Sequence, residues 1–483
     1  MIISVSVIEP SCAGYRLPAS HYPVSYIQIL ICELHSKDTK ISKKTYSSNF
    51  MLRKAPMSTG VGVEEQLDQL AERLKASNGG SPNEILVPAH DIEQSLRNYL
   101  RTRDIPINRL AKPSLKDRRT VNLAIAALRI IHYCHSRLDN DQALVSCLEE
   151  NWTSTWSWIK FLNRVYTELD YGDVVKRKAL CVIPFALLAH TKSKALKSQM
   201  QSTPDVASLI AKHWQKEGLI PDIDKMFEDA LCPRPFTGTI RELLVDCPIE
   251  VGFHTSLFNS IGDVNSFASS IMEHWHSALR SENSPVGLHI VEGQTAFMLN
   301  LTVCNYQPLL TALLHRGMLP SIVKTLQWFT DCSVVKSQAA YCSFMCFTLL
   351  TKTTKVVDAE RWVAQALDAG CMDAILRLGP LIESLEQDDQ TACRIFLGHT
   401  LCQALVFLPV LRSAKKIIRE INRGNIDEGT AGPIWESWIS FKTIALQRIK
   451  IKESSTNESL SDYRCNSPYV SLYRFSFRFR HHV

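Results

Sequence analysis

Apolar side chains recur at intervals of three and four residues through most of the chain between residues 57 and 450. In VEEQLDQLAERLKAS the spacing is set by Leu67, Leu70 and Leu74, as expected for one face of a helix. The stretch RRTVNLAIAALRIIHYCHS carries two such stripes, which is typical of a helix packed between neighbours on two sides. Alternating strand patterns are nearly absent from this region, so the sequence predicts an all-α protein.

A glycine followed by apolar residues recurs between predicted helices. LLHRGMLPSIVKTL contains Gly317, ALDAGCMDAILRLG contains Gly370 at an offset of 53 residues, and WQKEGLIPDID contains Gly218. Such a glycine ends one helix in the left-handed conformation and lets the next helix start against it. Helix pairs repeated in this way bury a continuous core only by stacking. We therefore expect an α-solenoid, the alternative being a chance pair of helices that end in glycine.

The turn Gly317-Met318-Leu319-Pro320 resembles the turn between helices of armadillo repeats. This resemblance implies an armadillo- or HEAT-like α-solenoid. The predicted fold class is thus an all-α solenoid of this type with poorly ordered N- and C-terminal segments.

The residue composition and the apolar pattern change at both ends of the helical region. Residues 1–56 mix short β-like pieces with a Ser/Lys/Thr-rich stretch, and we interpret them as a flexible tail or as sequence before the true start. Residues 57–450 form the predicted helical domain. Residues 451–483 begin with the polar stretch KESSTNESLSDYR and are interpreted as a linker and a tail.

The last stretch, YVSLYRFSFRFRHHV, alternates aromatic and basic residues. It is typical either of a tail that binds single-stranded nucleic acid or of sequence outside the natural reading frame. We favour the second interpretation, because an exposed strand of this kind promotes aggregation.

The amino-acid composition and the apolar runs limit the classes of protein to which this chain can belong. Hydrophobic residues make up 45% of the 483 residues and charged residues 21%, as expected of a folded chain. The formal charge of +6 is too thinly spread to predict nucleic-acid binding. No apolar run reaches the ~20 residues of a membrane span, and the N-terminus lacks the basic start of a secretion signal. The 15 cysteines are scattered, so we expect reduced thiols and a cytoplasmic or nuclear protein.

Motifs for catalysis or phosphate binding are absent from the sequence. Two Ser-x-x-Lys matches, beginning at Ser321 and Ser333, lack the companion motifs of that enzyme class. Three groups have metal-ligand residue types, but we expect core or surface positions for each: Cys342 with Cys346; His132, Cys134 and His135; His274 with His276. We predict no catalytic or cofactor-binding residue and no enzyme. A deep polar pocket around His132 or His213 would raise the case for an enzyme.

Tryptophans occur at helical spacing in two places, at Trp152, Trp156 and Trp158 and again at Trp435 and Trp438. They are compatible with a ligand-stacking box. We interpret them as packing anchors between helices, which is the commoner use of helix-spaced aromatics.

Several stretches resemble a large group of mushroom-forming-fungal proteins that end in a MYND-type zinc finger. The matching pieces are NWTSTWSWIKFL, the Trp-x-x-Glu-Gly of WQKEGLI, WVAQALDAGCMDAIL and WESWISFKTIALQRI. The resemblance implies a helical region followed by a finger of seven cysteines and one histidine that holds two zinc ions and binds partner proteins.

The resemblance makes residues 451–483 a linker and the remnant of a C-terminal zinc-finger region, and the sequence departs from that group at the finger. Cys465 stands where the first zinc ligand is expected, and no second cysteine follows it. Zinc needs about four ligands, so we predict no zinc in this chain. The predicted function is a non-enzymatic helical scaffold for a protein partner, with no nucleic acid and no membrane. The alternative is a zinc-binding regulatory protein whose finger is lost from this chain by truncation or a gene-model error.

Overall fold

The protein is described by a computed structural model. It describes residues 62–77, 87–106, 114–135, 137–165, 173–218, 234–245, 252–303, 306–331, 336–424 and 426–457, with the backbone alone at 76–77, 115, 173–181, 245, 303 and 455–457. All of these residues belong to one unit, Gly62–Val483.

Every regular element in these ranges is helical, and none of their residues forms a strand. The N-terminal helices are α1 (Val63–Ser77), α2 (Ala89–Tyr99), α3 (Leu115–Tyr133), α4 (Gln142–Asn163), α5 (Asp173–His190), α6 (Lys194–Ser202), α7 (Val206–Trp214) and α8 (Pro235–Val245). The central helices are α9 (Phe253–Ile261), α10 (Val264–Ala278), α11 (Pro285–Val303), α12 (Gln307–His315), α13 (Met318–Thr330) and α14 (Lys336–Thr353). The C-terminal helices are α15 (Ala359–Asp368), α16 (Cys371–Arg377), α17 (Gly379–Ile382), α18 (Gln387–Ile395), α19 (Leu401–Ala404), α20 (Leu408–Arg423), α21 (Glu428–Ala431) and α22 (Trp435–Asn457).

Side chains of Ser and Asp fix several helix starts. Ser114 and Asp117 form a capping box at α3, in which each side chain accepts a hydrogen bond from the other residue's backbone N–H. Asp141 and Asp263 cap α4 and α10 by accepting hydrogen bonds from backbone N–H groups of their first turns. Each cap satisfies a backbone donor that the helix leaves unpaired.

One set of helices packs in chain order, and we call it the helix row: α1, α3, α5, α8, α11, α14 and α17. Each member contacts the next one in the row. The helices between them also pack on near neighbours in chain order, as α2 does on α4, α7 on α9, α10 on α12 and α13 on α16. Packing in the described part of the chain therefore runs largely between helices close together along the sequence.

Large apolar side chains fill the space between these helices. Trp158, Trp214, Trp275 and Trp438 are fully buried, together with many Leu, Ile and Phe residues. The interpretation of the helix-spaced tryptophans as packing anchors is confirmed at Trp152 and Trp156 as well, which stack at 5.9 Å and are buried.

The all-α prediction is confirmed for the described residues. Within them, no helix is both long and apolar enough to cross a membrane. The helix α22 runs to Asn457, past the predicted domain end at residue 450, and α1 begins at Val63. Residues 1–56 and the tail from 458 onward lie outside the described residues.

Candidate interaction surface

The three glycines predicted as repeat turns adopt backbone conformations that favour glycine. Gly317 has φ +87° directly before α13, and Gly370 has φ +89° directly before α16. Gly218 has φ +73° in the turn after α7. The residues that follow Gly218, up to 233, lie outside the described part. At the two complete turns the glycine links two helices in the same way.

Another positive-φ glycine between two helices was missed by the sequence pattern. Gly262 lies between α9 and α10 with φ +132°, and a Cβ there would approach Ser266 Oγ to 3.1 Å. Asp263 follows it instead of an apolar pair, because this position caps α10. In the described part of the chain, positive-φ glycines occur at Gly218, Gly252, Gly262, Gly317, Gly370 and Gly432, so they do not follow one fixed interval.

A buried polar cluster surrounds the turn at Gly218. The Glu217 carboxylate accepts hydrogen bonds from Phe236 N at 2.8 Å, from Thr237 N at 2.7 Å and from Thr237 Oγ1 at 2.7 Å. These donors belong to the first turn of α8, so the carboxylate caps the N-terminus of that helix. Burial raises the pKa of Glu217 to about 7, against the lowering effect of these hydrogen bonds.

Arg234 joins the same cluster to α10. Its Nη1 donates to the backbone oxygen of His274 at 3.1 Å, and the hydroxyl of Ser277 donates to the backbone oxygen of Gly218. Trp214 Nε1 donates to Thr237 Oγ1 at 3.2 Å. The cluster therefore connects α7, α8 and α10, and its hydrogen bonds are used within the protein. We assign it a structural role.

The histidines considered as metal ligands or catalytic groups are packed as uncharged rings. His132 lies 4.3 Å from the Phe185 ring, and burial, followed by the charge of Arg129, lowers its pKa to about 4. His274 packs at 4.5 Å against Trp214, and burial, followed by Arg234, lowers its pKa to about 3. His213 stacks on Phe236 at 5.1 Å, with a pKa lowered to about 4 chiefly by burial.

The cysteines among the remaining metal-ligand candidates are buried as well. Cys342 and Cys346 are fully buried on α14, and burial raises the pKa of Cys346 far above its usual value. Burial raises the pKa of Cys134 to about 12. His276 is exposed, and its Nε2 lies 3.0 Å from Ser321 Oγ. In the described ranges no group of three His, Cys, Asp or Glu residues is placed to hold a metal ion. Cys465 lies outside them.

The helix row presents narrow half-exposed stripes, which we call the row face. On α11 the stripe comprises His289, Gly293, Ala296 and Asn300, and on α14 it comprises Ser337, Tyr341, Phe344, Thr348 and Thr351. The spacing of three and four residues keeps each set on one side of its helix. Gln338 joins the two helices at this face, because its Nε2 donates to Glu292 Oε2 and lies 3.1 Å from His289 Nδ1.

A charged pair lies on α8, the member of the helix row between α5 and α11. Arg241 Nη2 donates to Glu242 Oε1 at 2.9 Å, and Lys197 Nζ lies 3.5 Å from Glu242 Oε2. Burial of Glu242 raises its pKa, but the positive charges of Arg241 and Lys197 outweigh burial and hold it below its usual value. Burial lowers the pKa of His135, which lies just after α3, and raises that of Tyr341 on α14, while the charge of Arg241 lowers both.

Sequence reasoning missed this pair, although one signal was present. The stretch TIRELLV places two opposite charges inside an otherwise apolar helix. Charges in such a position are kept only when they are paired. Arg241 is thereby held on α8 by its pairing with Glu242.

No family model matches the chain, no curated protein shows significant similarity to it, and no solved structure matches it significantly. The resemblance to fungal MYND-finger proteins stays a prediction.

Proposed function

We propose that this protein is a non-enzymatic scaffold, an armadillo- or HEAT-like α-solenoid that presents the row face to a protein partner. The single observation that carries the proposal is the helix row, in which each member packs on the next one in chain order. Solenoids have this pattern because each repeat unit contacts only its neighbours.

The glycine turns support the same proposal. Gly262, Gly317 and Gly370 each precede a helix that packs beside the row: α10 contacts α11, α13 contacts α14, and α16 contacts α17. Units of three helices, with the glycine between the first and the second, account for these positions. These three glycines are 55 and 53 residues apart, more than the ~40–47 residues of a regular armadillo or HEAT unit, so the units are irregular repeats.

The chemistry of the row face suits a protein ligand. Tyr341 and Phe344 contribute aromatic surface, and Asn300 and His289 contribute hydrogen-bonding groups at half-exposed positions. Aromatic residues of this kind are enriched at the centres of protein interfaces. Buried reduced thiols such as Cys346 and Cys371 suit a cytoplasmic or nuclear site of action.

The proposal is tested by comparing the proteins bound by two variants in cells of the source organism. The first variant carries H289A, Y341A and F344A on the row face. The control carries K324A and Q327A on the exposed side of α13. We expect the first variant to lose a defined set of partners by quantitative affinity mass spectrometry, while the control keeps that set and both keep the thermal midpoint of the native chain. Identical partner sets for the wild type and both variants would contradict the proposal.

A further inference from the structure

A row of basic side chains lies on the outer side of α20. Arg412, Lys416, Arg419 and Arg423 follow one another at intervals of four, three and four residues and are all exposed. The opposite side of α20 is buried and packs on α15 and α22. At ~1.5 Å per residue the basic row extends over about 16 Å along the helix.

Two contacts fix how α22 lies beside this row. Lys415 pairs with Glu453, and Lys442 Nζ donates to Asn422 Oδ1 at 2.9 Å. The two helices are therefore antiparallel, and the middle of α22 lies level with the C-terminal half of α20. Leu446 falls between the two contacts, at the level of Arg419.

Two apolar side chains of α22 are exposed near the side of that helix that carries Lys442. Ile439 is 39% exposed and Leu446 is 46% exposed. They are seven residues apart, which places them on one side of the helix, near the side that carries Lys442. We call Arg412, Lys416, Arg419, Arg423, Ile439 and Leu446 together the basic–apolar surface.

These two helices carry a surplus of positive charge. Together α20 and α22 hold nine Lys and Arg residues against three Glu residues, a surplus of six. This surplus equals the formal net charge of +6 of the whole chain, so the remainder is balanced.

We propose that the basic–apolar surface binds an acidic amphipathic helix of a partner protein. Acidic side chains of the partner pair with the row on α20, and apolar side chains beside them cover Ile439 and Leu446. The flanking apolar groups favour a peptide over a nucleic-acid backbone, because phosphates leave them uncovered. Glu420 and Glu453 on the same two helices also repel phosphates. A bound peptide accommodates these two carboxylates by placing an uncharged turn over them.

This surface is formed by helices other than those of the row face, so either proposal can fail without the other. The test uses a fluorescent synthetic helical peptide of about 18 residues that carries a stripe of Glu beside a stripe of Leu. Its binding to the full chain is measured by anisotropy at physiological ionic strength, where exposed charges separated by more than ~8 Å are screened.

We expect R412E/R419E to weaken binding of this peptide by about tenfold or more, and I439S/L446S by about fivefold. The conservative variant R412K/R419K keeps most of the affinity and shows that the fold tolerates change at these positions. The charge-matched control R118E/R119E, which alters exposed residues of α3, changes the affinity by less than about twofold.

Four results would overturn the proposal. The first is no binding of the peptide, and the second is equal binding of a peptide in which Ser replaces every Leu, which indicates a general polyanion site. The third is tighter binding of a single-stranded oligoribonucleotide that R412E/R419E abolishes. The fourth is self-association of the chain that R412E/R419E abolishes, which assigns the surface to the exposed acidic stretch 383–389 of a second copy.

Discussion

Arg234 occupies the space in which a side chain on Gly218 would begin. A Cβ built on Gly218 would lie 2.6 Å from Arg234 Cζ, well inside van der Waals contact. The Arg234 guanidinium in turn donates to the backbone oxygen of His274. The absence of a side chain at Gly218 therefore allows both the positive φ of the turn after α7 and the close approach of Arg234, which links α8 to α10.

Gly218→Ala is expected to lower the free energy of unfolding by more than Gly317→Ala does. Both glycines have positive φ, which costs an L-residue about 1–2 kcal/mol. Only Gly218 also has a neighbour within 4 Å of the added Cβ, and overpacking costs about 1–3 kcal/mol more. Denaturant unfolding of the two variants measures the difference. A loss at Gly218 equal to or smaller than that at Gly317 would show that Arg234 moves aside freely.

A second close approach joins α17 to α21. A Cβ on Gly379 would lie 2.3 Å from the backbone oxygen of Thr430, and backbone cannot swing away as a side chain does. We expect Gly379→Ala to destabilise the protein by about 1–3 kcal/mol. Gly429→Ala on α21 is the matched control, because its Cβ meets Asp427 Oδ1 at an ordinary 3.6 Å. Equal thermal midpoints for the two variants would argue against the tight packing of α17 on α21.

The buried carboxyl of Glu217 predicts a pH dependence of stability. Its pKa is about 7 in the folded protein against 4.5 for an ordinary glutamate. Between these values the folded state keeps a proton that the unfolded state has lost, so stability falls as the pH rises from 4.5 to 7 and then levels off. The fall is on the order of 3 kcal/mol at 1.36 kcal/mol per unit of pKa.

Glu217→Gln removes this titration and keeps an acceptor for the N–H groups of α8. Urea unfolding at several pH values between 5 and 8 compares the two chains. We expect the difference in stability between variant and wild type to change across this range. Parallel curves would show that Glu217 is ionised throughout.

The cysteines of the core are expected to resist alkylation in the folded protein. Burial raises the pKa of Cys371 to about 12 and that of Cys346 still further, and alkylating reagents need an accessible thiolate. Peptide mapping after iodoacetamide treatment should find both residues unmodified in the native chain and fully modified in guanidinium chloride. Rapid native labelling of Cys346 would contradict its placement in the core.

The helical nature of the chain could be predicted from sequence because the apolar spacing is local. Leu67, Leu70 and Leu74 specify a helix face by themselves, and all three fall within α1. Glycine turns were recognised where an apolar pair follows the glycine, as at Gly317, and were missed at Gly262, where a capping Asp follows.

Relationships between distant segments could not be predicted in this way. Glu217 and Thr237 are 20 residues apart, and their contact depends on how α7 and α8 pack. The basic–apolar surface has the same origin, since Lys415 and Glu453 become neighbours only when α22 lies antiparallel to α20. The net charge can be counted from the sequence, but where the charged residues lie on the surface depends on the fold.

The stacking of helices in chain order is tested most directly by one distance across the helix row. Probes are placed at the exposed residues Arg119 of α3 and Lys336 of α14 as unnatural amino acids, which leaves the native cysteines unlabelled. Four successive helix contacts of ~8–10 Å separate α3 from α14 in the row, so pulsed electron–electron resonance is expected to give about 30–40 Å. A narrow distribution below about 20 Å would show that the helices fold back on one another, and would contradict the solenoid scaffold.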